Sequence, residues 1–257
     1  MSQDFSGQVA FITGGSDGIG RATAELLAER GATVIVCARG EEKLKATGDA
    51  IKAADGNVET HQLDVTDSDA FAALIEDVAK RHGRLDMMVN NAMAVHYAPI
   101  AKLKLEHWRK DFAVNADAVF VGTKAAMDIM MAAGKGSIVN ISSTTAIRAA
   151  PYMSSYSASK AALIQFTAVA AMEAARSGVR INAIVPGQVQ TAANEDFAAK
   201  APEVADKTKE AIPMGRGGDP KELAESIVFM LSDAASYITG VALPVDGGKA
   251  AQLYLPS

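Results

Sequence analysis

The 257-residue chain contains one cysteine, Cys37, one tryptophan and few aromatic residues, which make up 5% of it. A single cysteine excludes an internal disulfide and a cysteine-based metal cluster. The four histidines, His61, His82, His96 and His107, lack the spacing of a metal site. No apolar run reaches the ~18 residues that a membrane-spanning helix needs. These absences predict a globular protein without a disulfide framework, a metal centre or a membrane span.

The chain also lacks an excess of charge of either sign along its length. It carries 25 basic and 30 acidic residues, a net charge of −5, and the two signs are mixed. This pattern excludes the basic surface typical of nucleic-acid binders. The N-terminal segment "MSQDFSGQVAF" has neither a charged lead nor a long apolar run, so we expect no signal peptide and a cytoplasmic location.

Short β-rich runs alternate with longer helical patterns. Strands are predicted at 8–13, 33–38, 58–64, 85–92, 136–143, 179–187 and 241–248. Helices are predicted at 18–31, 41–55, 67–82, 103–133, 191–211, 220–232 and around Tyr156. This alternation, with several continuously apolar strands, predicts an α/β protein: a Rossmann-like doubly wound parallel sheet with helices on both faces.

The chain shows no linker and no repeat, so residues 1–257 are predicted to form one dinucleotide-binding catalytic domain. Residues 188–218 interrupt the regular alternation with a polar, alanine-rich stretch that ends in glycines. We interpret this stretch as a flexible lid over the substrate. A solvated surface insertion is the alternative.

Three glycines, Gly14, Gly18 and Gly20, lie between the first predicted strand and the first predicted helix. Glycine permits a tight turn and lets the backbone approach a ligand closely. The N-terminus of the following helix offers unpaired N–H groups and a positive dipole end, which suit a pyrophosphate. The spacing therefore favours a dinucleotide site over a purely structural turn.

The end of the second predicted strand bears on the choice between NADP and NAD. An acid there binds the ribose 2′-hydroxyl in dinucleotide folds, whereas an arginine accommodates a 2′-phosphate. This chain has Ala38 at that point, followed by Arg39. NADP is therefore favoured, although Asp17 in the glycine loop counts against it and a solvated loop position is the alternative for Arg39.

Several motifs occur in a fixed order: "TGGSDGIG" (13–20), "NNA" (90–92), "VNISS" (139–143), "YSASK" (156–160) and "PG" (186–187). Their order over nearly the whole chain resembles the short-chain dehydrogenase/reductase family. The resemblance implies that Asn115, Ser143, Tyr156 and Lys160 are the catalytic residues, with Asn115 holding a water that relays the proton. It also implies a homotetramer built through two long helices and the last strand.

The glycine loop, the end of the second strand and this resemblance together give a set of predicted ligand-binding residues. The cofactor residues are Gly14, Ser16, Asp17, Gly18, Ile19, Gly20, Arg39, Asp64, Val65, Asn91, Tyr156, Lys160, Pro186, Gly187, Val189 and Thr191. The substrate residues are Met93, Ser143, Met153, Tyr156 and Gln188. The family usually has glycine where this chain has Met93, which leaves the shape of the substrate pocket open.

Tyr156 and Lys160 are four residues apart, so they share one face of a helix. A free tyrosine has a pKa of ~10 and is a poor base at neutral pH. An ammonium about 5 Å away, at an effective dielectric of ~20, favours the phenolate by roughly 3 kcal/mol. We therefore expect Lys160 to lower the pKa of Tyr156, so that the phenol serves as a general acid or base.

Apolar residues dominate the segments expected around the substrate, which include Met93, Tyr97, Ile147 and Met214. We therefore predict hydride transfer between NADP and a hydrophobic secondary alcohol or ketone. An NAD-dependent dehydrogenase of the same family, a nicotinamide-dependent epimerase or dehydratase, and a cofactor-binding sensor without turnover remain alternatives. A small-molecule substrate is the expected partner, without nucleic acid or membrane.

Overall fold

The computed structural model describes residues 4–191, 194 and 199–252. The strands in these residues are β1 Val9–Thr13, β2 Thr33–Ala38, β3 Asn57–Gln62, β4 Met87–Asn90, β5 Gly136–Ile141, β6 Val179–Pro186 and β7 Ala242–Val245. The helices are α1 Gly18–Glu29, α2 Glu41–Ala53, α3 Ser68–His82, α4 Leu105–Phe112, α5 Ala118–Ala133, α6 Ser154–Ala174, α7 Pro202–Glu210 and α8 Pro220–Leu231. A π-helical segment, Ala113–Asp117, joins α4 to α5.

The seven strands of the described residues form one parallel sheet in the order β3-β2-β1-β4-β5-β6-β7. The order reverses between β1 and β4, because the chain first winds outward through β2 and β3 and then returns. In such sheets a crevice for ligands opens at the reversal, beyond the carboxyl ends of the strands. The predicted doubly wound parallel sheet is therefore confirmed.

Alternate residues of each strand face opposite sides of the sheet and build two cores. In β1, Ala10 and Ile12 pack in one core with α1, α2 and α8, whereas Val9 and Phe11 pack in the other with α3, α5 and α6. Both faces of the central strands are thus covered, which explains why these strands are continuously apolar in the sequence.

The predicted helix at 103–133 is interrupted by the π-helical segment, which no periodicity in the sequence indicates. Of the predicted helix at 191–211, the described residues show α7, while 192–193 and 195–198 lie outside them. The base of the predicted lid is closed by backbone hydrogen bonds between Gln190 and Gly218 (2.8 Å) and between Gly218 and Gln188 (2.9 Å).

Within residues 4–191 and 199–252, none of the helices combines the length and apolarity that a bilayer crossing requires.

Candidate active site

The glycine loop follows β1 at the reversal of strand order and packs closely against the end of β4. Gly14 has a φ of +64°, and a Cβ placed on it would lie 2.9 Å from the Cα of Ala92. A Cβ on Gly20 would lie 2.4 Å from Nδ2 of Asn91. The Asn91 amide in turn donates to the carbonyls of Thr13 and Gly14, each at 3.0 Å. Asn91 therefore fixes the loop, in addition to its predicted place beside the cofactor.

Helix α1 begins directly behind this loop with Asp17 as its N-cap. The Asp17 carboxylate accepts the N–H of Gly18 at 2.8 Å, and the Asp17 carbonyl accepts the N–H of Arg21 at 3.2 Å. Amides of a first helical turn have no acceptor inside the helix. Among the hydrogen bonds of the described residues, none uses the backbone N–H groups of Ile19 and Gly20. These two groups are left to bind a ligand, so the loop fits a pyrophosphate.

The segment after β6 reaches over the same loop. Gly187 donates to the carbonyl of Val245 at 3.1 Å, and Val189 is buried. The methyl carbon of Thr191 lies 3.1 Å from the position of a Cβ on Gly18. The structure thus brings Thr191, at the end of this segment, next to Gly18 of the glycine loop.

The end of β2 carries the two residues on which the choice of cofactor depends. Ala38 is buried and Arg39 is exposed. Hydrogen bonds from Thr66 lower the pKa of Asp64, and the charge of Arg39 lowers it further, so Arg39 and Asp64 lie on the same side of the crevice. Val65, the residue after Asp64, is buried. A cation and a carboxylate therefore border the place where an adenosine ribose would lie in this fold.

Asp17, whose negative charge argues against NADP, forms an ion pair with a lysine in the structure. Nζ of Lys43 lies 2.5 Å from Oδ2 of Asp17. This contact is the main cause of a lowered pKa of Asp17, so the carboxylate is ionised but paired. Its repulsion of a nearby phosphate is therefore reduced. Ser16, the loop residue before it, is half-buried.

Asn115 lies in the π-helical segment and is fully buried. Its carboxamide accepts the N–H of Ala94 at 3.0 Å and donates to the Ala94 carbonyl at 2.8 Å and to Oγ of Ser159 at 3.0 Å. Both side-chain hydrogens are therefore used within the protein. The side chain anchors the loop after β4 to α6, and its expected part in holding a relay water stays a prediction.

Ser143, Tyr156 and Lys160 come together at the carboxyl end of β5. All three side chains are buried, with exposed fractions of 8%, 8% and 1%. Nζ of Lys160 donates to the Ile141 carbonyl at 2.7 Å and lies 5.9 Å from the centroid of the Tyr156 ring. The Ser143 hydroxyl interacts with the Tyr156 phenol. The structure thus assembles the three residues that the sequence predicts to act together.

The expected lowering of the Tyr156 pKa by Lys160 stays a prediction, because burial of both groups in this structure acts against their charged forms. Burial raises the pKa of the Tyr156 phenol, and the hydrogen bond from Ser143 opposes this shift. Burial also lowers the pKa of Lys160 to about 7. Burial thus disfavours the ammonium of Lys160 as well as the phenolate of Tyr156.

The predicted substrate residues lie around this group with different degrees of exposure. Met93 is half exposed and Met153 is partly buried. Oε1 of Gln188 is buried without a hydrogen-bond partner among the described residues. Tyr152, in the loop before α6, has a φ of +69°, a strained conformation of the kind that clusters at functional sites.

Two residues beside Tyr156 are missing from the predicted site. Asp111 and Ser155 are both fully buried and hydrogen-bonded to each other. In the sequence they stand out only by position, since Asp111 lies four residues before Asn115 and Ser155 directly precedes Tyr156, and neither position indicates the contact between them.

A separate cavity of about 690 Å³ opens at the amino ends of the strands, lined by Gln8, Asp86, Ser137 and Arg180. It lies at the sheet edge opposite the glycine loop. We do not assign the active site to it, because ligands of open α/β sheets bind beyond the carboxyl ends of the strands.

A glycine loop at the strand reversal, a cationic second-strand end and a buried serine–tyrosine–lysine group together define a dinucleotide-dependent oxidoreductase. A family model described as "Enoyl-(Acyl carrier protein) reductase" matches residues 14–250. The chain belongs to the short-chain dehydrogenase/reductase family, as the sequence motifs predict. It is an enzyme of this family that acts on CH–OH groups.

Similar curated proteins have different named substrates. "3-oxoacyl-[acyl-carrier-protein] reductase FabG" of Thermotoga maritima is 39% identical over 242 residues, covering 94% of this chain and 97% of the relative. "2,5-dichloro-2,5-cyclohexadiene-1,4-diol dehydrogenase LinX" of Sphingobium indicum is 40% identical over 248 residues, covering 96% and 98%. "Cis-4-hydroxycyclohexanecarboxylate dehydrogenase" of Sinomonas cyclohexanicum is 40% identical over 255 residues, covering 98% and 100%.

Among solved structures, a putative NAD(P)-dependent gluconate 5-dehydrogenase from Beutenbergia cavernae with bound NADP superposes with a TM-score of 0.92. It is 36% identical and the match covers 98% of this chain and 100% of that one.

Proposed function

We propose that the protein transfers hydride between NADP and a cyclic, mostly apolar secondary alcohol or its ketone, with Tyr156 as general acid and base. The observation that carries the proposal is the buried group of Ser143, Tyr156 and Lys160 at the carboxyl end of β5, on the same edge of the sheet as the glycine loop. A phenol and an amine at such a place are suited to proton exchange with a substrate oxygen.

The residues that would hold the dinucleotide are those of the crevice. Gly14, Ser16, Gly18, Ile19 and Gly20 would take the pyrophosphate. Arg39 would take the 2′-phosphate, with Asp64 and Val65 beside the adenosine. Asn91, Lys160 and the segment 186–191 would border the nicotinamide half. When bound, the cofactor supplies or accepts the hydride.

The protein's own part in the reaction is positioning and proton transfer. Because burial raises the pKa of Tyr156, the phenol is protonated at neutral pH and is suited to donate its proton to a ketone oxygen. Ser143 would hold that oxygen beside the phenol. Burial lowers the pKa of Lys160 to about 7, and its protonated form would stabilise the phenolate left by proton donation. In alcohol oxidation the same phenolate takes up the proton.

The substrate class is argued from the surface around the site and from the relatives. Met93, Tyr97 and Tyr152 are exposed apolar or amphipathic residues on the two loops that flank Tyr156. Their side chains suit an apolar ring. Two of the similar proteins are named for alcohols on six-membered rings, one of which carries a carboxylate. We therefore favour a cyclohexanol-type substrate.

The proposal is tested by following the reduced-nicotinamide absorbance with NADP and NAD and a panel of cyclic and open-chain secondary alcohols. We expect net oxidation with a preference for cyclic alcohols and for NADP. Isomerisation without net redox change would support an epimerase instead. Cofactor binding without turnover of any compound would support a cofactor-binding sensor instead of an enzyme.

Reduction of a 3-oxoacyl thioester is a second candidate function. The similarity to the Thermotoga maritima reductase favours it, and an acyl chain could also pack on exposed Met93 and Met214. A 3-oxoacyl thioester in the same assay separates the two, because a ring-specific site would turn it over more slowly than a cyclic ketone.

We further propose that the enzyme assembles as a homotetramer. The family resemblance and the exposed apolar side chains of α5 and α6 support this assembly.

A further inference from the structure

Two pairs of polar side chains join the segment around α4 to the start of α6. Asn115 bonds the backbone of Ala94 and the hydroxyl of Ser159. One helical turn earlier, Asp111 bonds His96 and the hydroxyl of Ser155. Asp111 and Asn115 are four residues apart, and so are Ser155 and Ser159. Their partners in the loop after β4, Ala94 and His96, are two residues apart. The predicted active site includes the first of these connections but not the second.

Asp111 is unusual because its side chain is a carboxylate with 0% of its surface exposed. Oδ1 lies 2.7 Å from Nδ1 of His96, and Oδ2 accepts the His96 N–H at 3.3 Å and the Ser155 hydroxyl. Since a carboxylate only accepts, Nδ1 of His96 carries the hydrogen of this contact. Hydrogen bonds to a buried charge are strong, so the three contacts hold their elements firmly.

The elements that Asp111 joins carry the chemistry and the substrate wall. Ser155 directly precedes Tyr156 in the first turn of α6. His96 lies in the loop that carries Met93 and Tyr97, both exposed. Asp111 thus connects the proposed general acid to the proposed substrate loop without itself facing solvent.

We propose that Asp111 is a positioning residue of this active site, which orients Tyr156 through Ser155 and the loop 93–99 through His96. The proposal rests on the proposed role of Tyr156 and adds two residues, Asp111 and Ser155, to the determinants of rate. It also assigns His96 to the binding of substrate through the loop.

The carboxylate also acts on Tyr156 electrostatically. Burial is the largest cause of the raised pKa of Tyr156, and the charges of Tyr97 and Asp111 add to it. Other charged groups surround the contact. The His107 ring of α4 stacks on the His96 ring, with ring centroids 4.5 Å apart. Oε1 of Glu106 lies 3.5 Å from Nε2 of His107. On α6, Nζ of Lys160 donates to the Ile141 carbonyl.

The first test is Asp111→Asn, which keeps the shape and removes the charge. Because the negative charge disappears, the pKa of Tyr156 falls, and the limb of the pH–kcat/KM profile governed by Tyr156 moves to lower pH. Because one accepting oxygen becomes a donor, kcat at the plateau falls about tenfold. If the pH–kcat/KM profile of Asp111→Asn stays at the wild-type position and its kcat is within about twofold of the wild-type kcat, the proposal is overturned.

Ser155→Ala separates orientation from charge. It removes the hydroxyl and keeps the carboxylate. We therefore expect a severalfold lower kcat, while the limb of the pH–kcat/KM profile governed by Tyr156 stays close to its wild-type position. A shift as large as that of Asp111→Asn contradicts the assignment. Because neither Ser155→Ala nor the His96 variants remove a buried charge, they keep the proposal testable if Asp111→Asn does not fold.

His96→Phe tests the connection to the substrate loop. Removal of the donor should raise KM about tenfold and change kcat less, and His96→Asn, which restores a donor, should recover most of the affinity. Equal KM values for His96→Phe and wild type contradict this part. His107→Phe, which keeps a ring for stacking, and Asp69→Asn, an exposed remote carboxylate, are matched controls expected to behave as wild type.

A substrate-free measurement separates this proposal from the proposed function. The chain has five tyrosines, so isotopic labelling at Cζ gives few resonances, and Tyr156→Phe identifies the one of interest. The Tyr156 resonance should titrate at lower pH in Asp111→Asn than in wild type. If no alcohol is turned over but the resonance moves, only the proposed function fails. If turnover occurs and the resonance does not move, only the role of Asp111 fails.

Discussion

The side chains of Tyr156 and Lys160 are almost completely removed from water, and burial moves their pKa values apart, upward for Tyr156 and downward for Lys160. Both shifts favour the neutral forms, a phenol and an amine. Donation of the phenol proton to a substrate oxygen leaves a phenolate, so protonation of Lys160 is needed to balance that charge in the buried site. Ser143 opposes part of the shift at Tyr156, which keeps the phenolate accessible during turnover.

Replacement of Tyr156 by phenylalanine tests the acid–base assignment directly. The ring keeps its packing, but no proton remains to exchange. We expect kcat to fall by about 100- to 10,000-fold, with the dissociation constant for NADP within about twofold of wild type, measured by single-turnover kinetics and fluorescence titration. Tyr237→Phe removes a hydroxyl at an exposed remote position and should leave kcat unchanged. Retained turnover in Tyr156→Phe would refute the assignment.

The grouping of Ser143, Tyr156 and Lys160 could be predicted from the sequence, because each belongs to a local motif at the end of a strand or in one helical turn. The directions of their pKa shifts could not, because they depend on burial by residues distant in the chain. For the same reason Asp111 was missed: its neighbours His96 and Ser155 are 15 and 44 residues away.

Arg39→Ala tests cofactor selection at the end of β2. Arg39 is exposed and would make charged hydrogen bonds only to a 2′-phosphate, so NADP binding should weaken about 10- to 100-fold while NAD binding changes less than about twofold. Isothermal titration with both cofactors measures this difference. Arg176→Ala, an exposed arginine after α6, serves as the control. Equal losses for both cofactors would remove Arg39 from the site.

At the scale of elements, the sequence predicts where strands and helices lie but not how their ends meet. Strand β2 has its predicted bounds, because its apolar run is flanked by turn residues. The π-helical segment that aims Asn115 at the loop after β4 could not be predicted, because it results from packing between α4, α5 and α6. Such segments often occur at functional sites.

The closeness of the glycine loop to the loop after β4 gives a prediction at this scale. In Gly20→Ala, the added methyl would lie 2.4 Å from Asn91 Nδ2 and 2.5 Å from the Gly14 carbonyl, so the phosphate loop must move. We expect a loss of about 1–3 kcal/mol of stability and at least tenfold weaker cofactor binding. Thermal unfolding with and without NADP measures both effects.

Gly40→Ala is the matched control for this change. Gly40 has an ordinary φ of −85°, and a Cβ there meets no atom within 4 Å. Its stability and cofactor affinity should stay near those of wild type. Equal stability and equal cofactor affinity of the two variants would show that the glycine loop has room for a side chain. That result would contradict the close packing of the loop against the end of β4.

At the scale of the whole molecule, the distribution of exposed apolar side chains points to assembly. Phe120 on α5 and Val169 and Met172 on α6 are about half exposed or more, and Phe120 packs edge-on against Phe166 with centroids 5.9 Å apart. Apolar side chains grouped on two adjoining helices are typical of an interface between protein chains. The sequence alone marks these helices as long and apolar, but only the fold shows which of their residues are left uncovered.

If this surface joins the copies of a tetramer, a charge placed in it must separate them. We expect wild type to sediment as four chains of 26.7 kDa and Met172→Glu to sediment as a smaller species, because a buried unpaired carboxylate costs several kcal/mol in an apolar contact. Val204→Glu, on α7 and similarly exposed, should remain tetrameric. Since α6 also carries Tyr156 and Lys160, dissociation should lower activity and stability together. A monomeric wild type at micromolar concentration would exclude the tetramer and leave the apolar surface without this role.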